Sequence, residues 1–248
     1  AGKKAEVIKF VASAAGLFPG STDIITIDPA NAAAITIDEK YTLKGEAAKP
    51  RVTDAMMGAD ISFLPQLEER GIKFSDKGVE KDAIQILKEH GFNYVRLRIF
   101  NDPARDSGYS PKKGFCDLAH TKQMALRVKK AGMKLLLDFH YSDYWADPGK
   151  QYKPAAWRGL NFEDLKKALY DYTRQVILEL QQQGTTPDMV QIGNEINHGI
   201  VWPEGSVSNP DLLAQLINAG TAAVKSVDPS IIMMLHVALG GQNDESVM

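Results

Sequence analysis

A single cysteine, Cys116, stands among 248 residues, so the chain cannot close an internal disulfide and has no cysteine-based metal spacing. Charge of either sign is equally scarce in excess: the formal net charge is −2 and no long basic run occurs. That argues against nucleic acid or an anionic membrane surface as the main partner. No apolar run reaches the roughly 20 residues needed to cross a bilayer. The opening Ala-Gly-Lys-Lys has no signal-peptide pattern. The first residue is not methionine, so removal of a leader and export of a soluble domain are expected.

What is present is a 44% apolar composition, enough for one large core and a small appendage. From about Met57 onward, short apolar runs alternate with longer amphipathic ones. Strands are expected at Gly58 to Ser62, Asn93 to Phe100, Lys134 to His140, Met189 to Gly193 and Ile231 to His236. Leu165, Leu169, Tyr172, Val176 and Leu180 recur on one helix face, with Asn161 placed to cap it and Glu163 and Asp164 in its first turn. Leu212, Leu213, Leu216, Ile217, Ala223 and Val224 form a similar stripe. Further helices are expected over Val79 to His90 and Leu118 to Lys130, and Gly91, Gly132 and Gly184 follow three of the helices as stops.

Helix-to-strand links are short, whereas residues 101–116, 141–160 and 197–208 are long and rich in Pro, Gly, Asp and aromatics. This asymmetry suits an α/β barrel with functional loops on one face. An open doubly wound sheet is the alternative, but no Gly-rich phosphate loop supports it. Only five β/α units are counted between Met57 and Met248, whereas a closed barrel has eight. The remaining units are expected in further sequence, and the five alone would expose a sheet edge. Residues 1–50 are expected to form a β appendage or linker ahead of a catalytic domain over 51–248. Glu6 to Ala14 could be a strand, and Ile-Thr-Ile-Asp at 25–28 and 35–38 suggests a hairpin around Asp28-Pro29-Ala30-Asn31.

Chemistry concentrates where the apolar run Met189 to Gly193 ends in Asn194-Glu195. A carboxyl and an amide side by side at a strand end, with Asn197 and Trp202 in the same loop, suit a sugar, which offers hydroxyls at its rim and apolar C–H groups on its face. His140 and His236 each end a strand and would converge near the barrel axis. Asp138 and His140, two apart, face the same way. They could contribute to a metal site, but the rest of a cage is not visible, and hydrogen bonding to substrate or to a catalytic carboxylate is the preferred reading. Arg96 and Arg98 share a face and need buried carboxylate partners. One of them beside a catalytic carboxylate would favour its ionised state. In the loop from Tyr141 to Lys150, Asp143 interleaves with aromatics and Trp145 is a candidate sugar platform, whereas Trp157 is expected to pack.

The segments Tyr94-Val95-Arg96-Leu97-Arg98, Asp138-Phe139-His140-Tyr141-Ser142-Asp143, Trp145 to Gln151 and Asp188 to Asn197 resemble glycoside hydrolase family 53, the arabinogalactan endo-β-1,4-galactanases. The resemblance covers Met57 to about His236. It implies a TIM barrel of the retaining type, acting on the galactan side chains of pectin. In it, Glu195 would be the general acid/base and Asn194 a substrate hydrogen-bond partner. Arg98, His140, His236 and Asp143 would support or bind substrate, and Trp145 and Trp202 would line the cleft. The nucleophile would be a second glutamate at the end of the seventh strand, beyond residue 248, and Asp244 and Glu245 do not match its position. No cofactor enters this chemistry, although some members bind calcium in a late loop outside these residues. A monomer acting on polysaccharide outside the cytoplasm is expected. Alternatives are another retaining barrel hydrolase, such as a mannanase or cellulase, a non-catalytic galactan-binding protein, or a metal-dependent hydrolase using Asp138, His140 and His236.

Overall fold

The computed structural model describes residues 7–12, 20–25 and 55–238. The chain divides into two units, Ala1–Asp54 and Ala55–Met248. In the first, β1 (Val7–Ala12) and β2 (Gly20–Ile25) pair antiparallel, Val7 opposite Ile25. The hairpin expected around Asp28 to Asn31 lies outside the described residues.

In the second unit, β3 (Gly58–Asp60), β6 (Tyr94–Ile99), β7 (Lys134–Phe139), β8 (Met189–Ile192) and β9 (Ile232–Met234) form one parallel sheet in sequential order. Neighbours in sequence are neighbours in space throughout, as in a TIM barrel, and no reversal of strand order of the doubly wound kind occurs among these five. Helices α1 (Leu64–Glu69) and α2 (Ala83–Glu89) link β3 to β6, and α3 (Leu118–Lys130), α4 (Phe162–Gln182) and α5 (Pro210–Val227) fill the next three crossovers.

The α2 boundary differs from the sequence expectation. Val79 and Glu80 form a strand (β5) that pairs with Ser75 and Asp76 (β4). Lys77 and Gly78 between them both have positive φ, 50° and 79°, the geometry of a two-residue hairpin turn that matches strand twist. The helix starts only after Asp82, whose carboxylate accepts from Ile84 N at 2.7 Å. Asn161 caps α4 as expected, its Oδ1 accepting from Asp164 N at 3.0 Å.

Period-two alternation sorts the strands into two faces. Val95, Leu97 and Ile99 of β6, Leu135, Leu137 and Phe139 of β7, and Val190 and Ile192 of β8 face the helices. There they pack with Met124, Val128, Leu165, Leu169, Val176, Leu180, Leu216 and Val224 in one buried cluster. Each such side chain contributes about 1.5–3 kcal/mol by leaving water. The opposite face changes character along the strands. Tyr94, Leu136 and Met189 form an apolar layer near the strand starts. One step further on stand Arg96, Asp138 and Gln191, with Arg98 and His140 at or near the tips. Polarity on this face therefore rises toward the strand ends, where the long loops begin.

Candidate active site at the strand tips

Arg96 is the hub. Its Nη1 donates to Asp60 Oδ2 at 2.7 Å and its Nη2 to Asn194 Oδ1 at 2.7 Å. Nε and Nη2 also reach Gln191 Oε1 at 3.3 and 3.2 Å. Asp138, fully buried, lies with Oδ2 2.7 Å from Arg96 Nη2 and 3.0 Å from His140 Nε2. Both are ion-pair distances without hydrogen-bond alignment. Its Oδ1 accepts from Gln191 Nε2 at 2.5 Å. The carboxylates that inward-facing arginines require are thus Asp60 and Asp138. Neither arginine pairs with Glu195, contrary to the expectation of an Arg beside the acid.

Asn194 is saturated on its oxygen. Besides Arg96, His236 Nδ1 lies 2.9 Å from Oδ1 and, facing an acceptor, is the donor. Its Nδ2 donates to Ala146 O at 2.8 Å, which leaves one amide hydrogen uncommitted. Burial, and then the Arg96 charge, hold the His236 imidazole below its ordinary pKa, while the Asp138 and Glu195 carboxylates pull the other way.

Glu195 itself adopts φ 51°, ψ 56°, the left-handed region that a glutamate rarely visits. It is half-buried, and among the described residues no hydrogen bond or ion pair engages its carboxylate. Gly193 before it has φ 82°, and a Cβ there would sit 2.7 Å from side-chain carbons of Ile196 and Ile200, so only glycine fits. Left-handed backbone at Gly193 and Glu195 thus turns the chain sharply just beyond the end of β8.

Three of the expected substrate contacts sit behind this surface instead. Arg98, His140 and Asp143 are 4%, 1% and 7% exposed. Arg98 stacks its guanidinium 4.3 Å from the Trp145 ring centre and donates to Tyr109 Oη at 3.1 Å, so it supports the indole from below. His140 accepts from Ala146 N on Nδ1 and turns Nε2 toward Asp138 at 3.0 Å, where that atom is buried without an aligned hydrogen bond. Asp143 accepts from Asp102 N and Ala155 N and pairs with Arg105, tying two loops together. Trp145 and Trp202 remain half-exposed. Trp202 is oriented by its Nε1 donating to His198 O at 2.7 Å. Trp157 packs against Tyr141 and Tyr172 as expected. Asn197 brackets Ala238, accepting from its N–H and donating to its carbonyl. Among the described residues, no group of three or more His, Cys, Asp or Glu gathers as a metal cage.

Sequence reasoning missed Asp60, Gln191 and Gln151. Gln191 had a signal, as a polar residue in register with Asp138 inside an apolar strand. Gln151 is marked in the sequence only as the end of the Trp145 to Gln151 segment that carries the family resemblance, because its contacts depend on how two loops fold back on each other.

A family model described as glycosyl hydrolase family 53 matches residues 56–247. The endo-beta-1,4-galactanase of Bacillus subtilis (strain 168) is 39% identical over 184 residues, which cover 74% of this chain and 42% of that protein. The arabinogalactan endo-beta-1,4-galactanase of Cellvibrio japonicus (strain Ueda107) is 38% identical over 195 residues, 75% of this chain and 50% of the other. Among solved structures, the Ignisphaera aggregans GH53 catalytic domain superposes with a TM-score of 0.70 at 44% identity, covering 73% of this chain and 51% of that one. The chain spans about half the length of the curated relatives it matches. On its match over 56–247 and its sheet of sequential parallel strands, this chain belongs to glycosyl hydrolase family 53.

Proposed function

We propose that this protein is a retaining endo-β-1,4-galactanase, and that Glu195 is its general acid/base. One observation carries the reading. Glu195 stands three residues beyond β8 with its carboxylate uncommitted among the described residues, beside an Asn194 locked by Arg96 and His236. A proton-transferring group must be free to approach the glycosidic oxygen, whereas its neighbours must not move. The similarity to proteins named as galactanases supports galactan as the substrate.

In the first half-reaction Glu195 protonates the leaving oxygen while a second carboxylate, its carboxyl group about 5–5.5 Å from that of Glu195, attacks the anomeric carbon and forms a covalent glycosyl-enzyme. That second group would come from a later strand of the barrel. In the second half-reaction Glu195 removes a proton from water as that water attacks the anomeric carbon and breaks its bond to the second carboxylate, which releases the sugar with retained configuration. Asn194 directs its remaining amide hydrogen at the substrate. Trp145 and Trp202 offer flat apolar faces to the sugar rings. Arg98, His140 and Asp143 hold these groups from behind. No cofactor is needed for these steps. A monomer working outside the cytoplasm on pectic galactan fits an insoluble, extracellular substrate.

The test is digestion of β-1,4-galactan, β-1,4-mannan and carboxymethylcellulose by the full-length polypeptide, with products followed by proton NMR. Galacto-oligosaccharides alone should form, the β-anomer first. Cleavage of mannan or cellulose in place of galactan, or initial release of the α-anomer, would contradict the reading.

A further inference from the structure

The left-handed backbone at Glu195 persists only where the surroundings enforce it. Ile196 N donates to His236 O at 2.8 Å on one side of the residue. The other restraint is Gln151, which is 1% exposed. Its Nε2 lies 2.8 Å from Asn194 O, 3.3 Å from Glu195 O and 3.2 Å from Asp147 O. Three carbonyl oxygens around one amide atom require that atom to be the NH2 group. Gln151 Oε1, on the far side, is buried without a partner, so the side chain is placed for what its nitrogen does.

Gln151 is itself held rigidly. The turn before it closes through Asp147 N to Lys150 O and Lys150 N to Asp147 O, at 2.9 and 3.0 Å, and through the Lys150–Asp147 ion pair at 2.8 Å. Its own carbonyl accepts from Trp202 N at 2.7 Å. Two residues on, Lys153 pairs with Glu204 at 2.7 Å with both side chains mostly buried. The loops after β7 and β8 are therefore bolted together at the residue that grips the turn.

We propose that Gln151 is a positioning residue for proton transfer, donating its amide hydrogens to the carbonyl oxygens of Asn194 and Glu195 so that the Glu195 carboxyl stays aimed at the glycosidic oxygen. The inference rests on the assignment of Glu195 as the acid/base. At this reach only glutamine supplies two neutral N–H donors. Asparagine is one carbon short, and an ionised glutamate would face three carbonyls with negative charge. Displacing a reacting group by about an ångström can cost on the order of 100-fold in rate. Because the misplaced group serves the leaving oxygen, the deficit must follow how badly that oxygen needs a proton.

The experiment compares wild type, Gln151→Met and Glu195→Gln in the full-length polypeptide, with folding of each verified by circular dichroism. kcat/KM is measured on β-1,4-galactan and on a 2,4-dinitrophenyl β-1,4-galacto-oligosaccharide, whose phenolate leaves without protonation. For Gln151→Met, kcat/KM on galactan should fall about 10- to 100-fold, while the value on the aryl substrate should stay within about 3-fold, because that step makes no use of the acid. Equal losses on both substrates, or no loss on either, would overturn the proposal. A Glu195→Gln variant that keeps full activity on galactan would instead overturn the acid/base reading, and this inference with it. Gln151→Glu adds a second readout. Its activity relative to wild type should rise as pH falls, since a protonated carboxyl can donate to Asn194 O. A ratio that stays flat or declines would count against the bracket.

Discussion

Arg96 and Asn194 meet across the sheet, guanidinium Nη2 to amide Oδ1 at 2.7 Å, although 98 residues separate them in sequence. The same guanidinium lies 2.7 Å from Asp138 and 2.7 Å from Asp60. One planar fork thus sets the orientation of the amide beside Glu195 while neutralising a buried carboxylate.

Replacing Arg96 by Met should therefore cost stability. Asp138 has no exposed surface, and removing the partner of such a buried charge costs about 3–5 kcal/mol, to be read from urea denaturation. Arg96→Lys retains the charge but cannot span three acceptors. It should fold and yet lose on the order of 100-fold in turnover through misalignment of Asn194. Turnover unchanged in Arg96→Lys would mean that the fork geometry is irrelevant.

His236 should make stability pH-dependent. Burial, then the Arg96 charge, lower its pKa in the fold, so between the folded value and about 6.5 the unfolded chain binds more protons than the native one. Stability is then fully present above about pH 6.5 and is lost as pH falls through the folded value. His236→Gln, which keeps a donor for Asn194, should flatten this dependence in melting temperatures taken from pH 7.5 down to 5. A titration of His236 by NMR should give a midpoint below that of a free imidazole.

Gly193→Ala should fail at two levels. The added methyl meets Ile196 and Ile200 at 2.7 Å, and φ is 82°. Such combined strain destabilises by more than about 1 kcal/mol, and relief by turning the backbone would move Glu195. Asn161→Ala is the matching control: it should lose about 1 kcal/mol of stability with its helix cap and no activity, because the Asn161 side chain bonds only Asp164 and touches none of Arg96, Asn194 and Gln151.

These cases show where the fold and the site were legible in the chain. Strands and helices followed from periodicity, and Asn161 and the stop glycines from cap chemistry, because those signals act within a few residues. Arg96 and Arg98 announced that buried carboxylates must exist, but not which ones. Asp60 becomes identifiable only once β3 pairs with β6 and sets Asp60 opposite Arg96. His140, from its place at a strand end, and Asp143, from the aromatic-rich loop, are expected to meet substrate, yet their polar atoms turn to loop backbone, to Arg105 or to Asp138. A loop rich in polar and aromatic residues has to satisfy its own buried polar groups before it can serve a ligand, and sequence proximity does not separate the two uses. The helix start at Ala83 was misplaced because the Lys77-Gly78 turn diverts the chain into a hairpin first.

The most direct measurement is turnover of β-1,4-galactan by Glu195→Gln in the full-length polypeptide, paired with calorimetric binding of galactotetraose. Loss of the acid/base should lower kcat by about 100- to 10,000-fold and leave affinity within a few-fold, since the amide keeps the shape of the carboxyl. Wild-type turnover in that variant, or loss of binding in step with rate, would contradict the role given to Glu195.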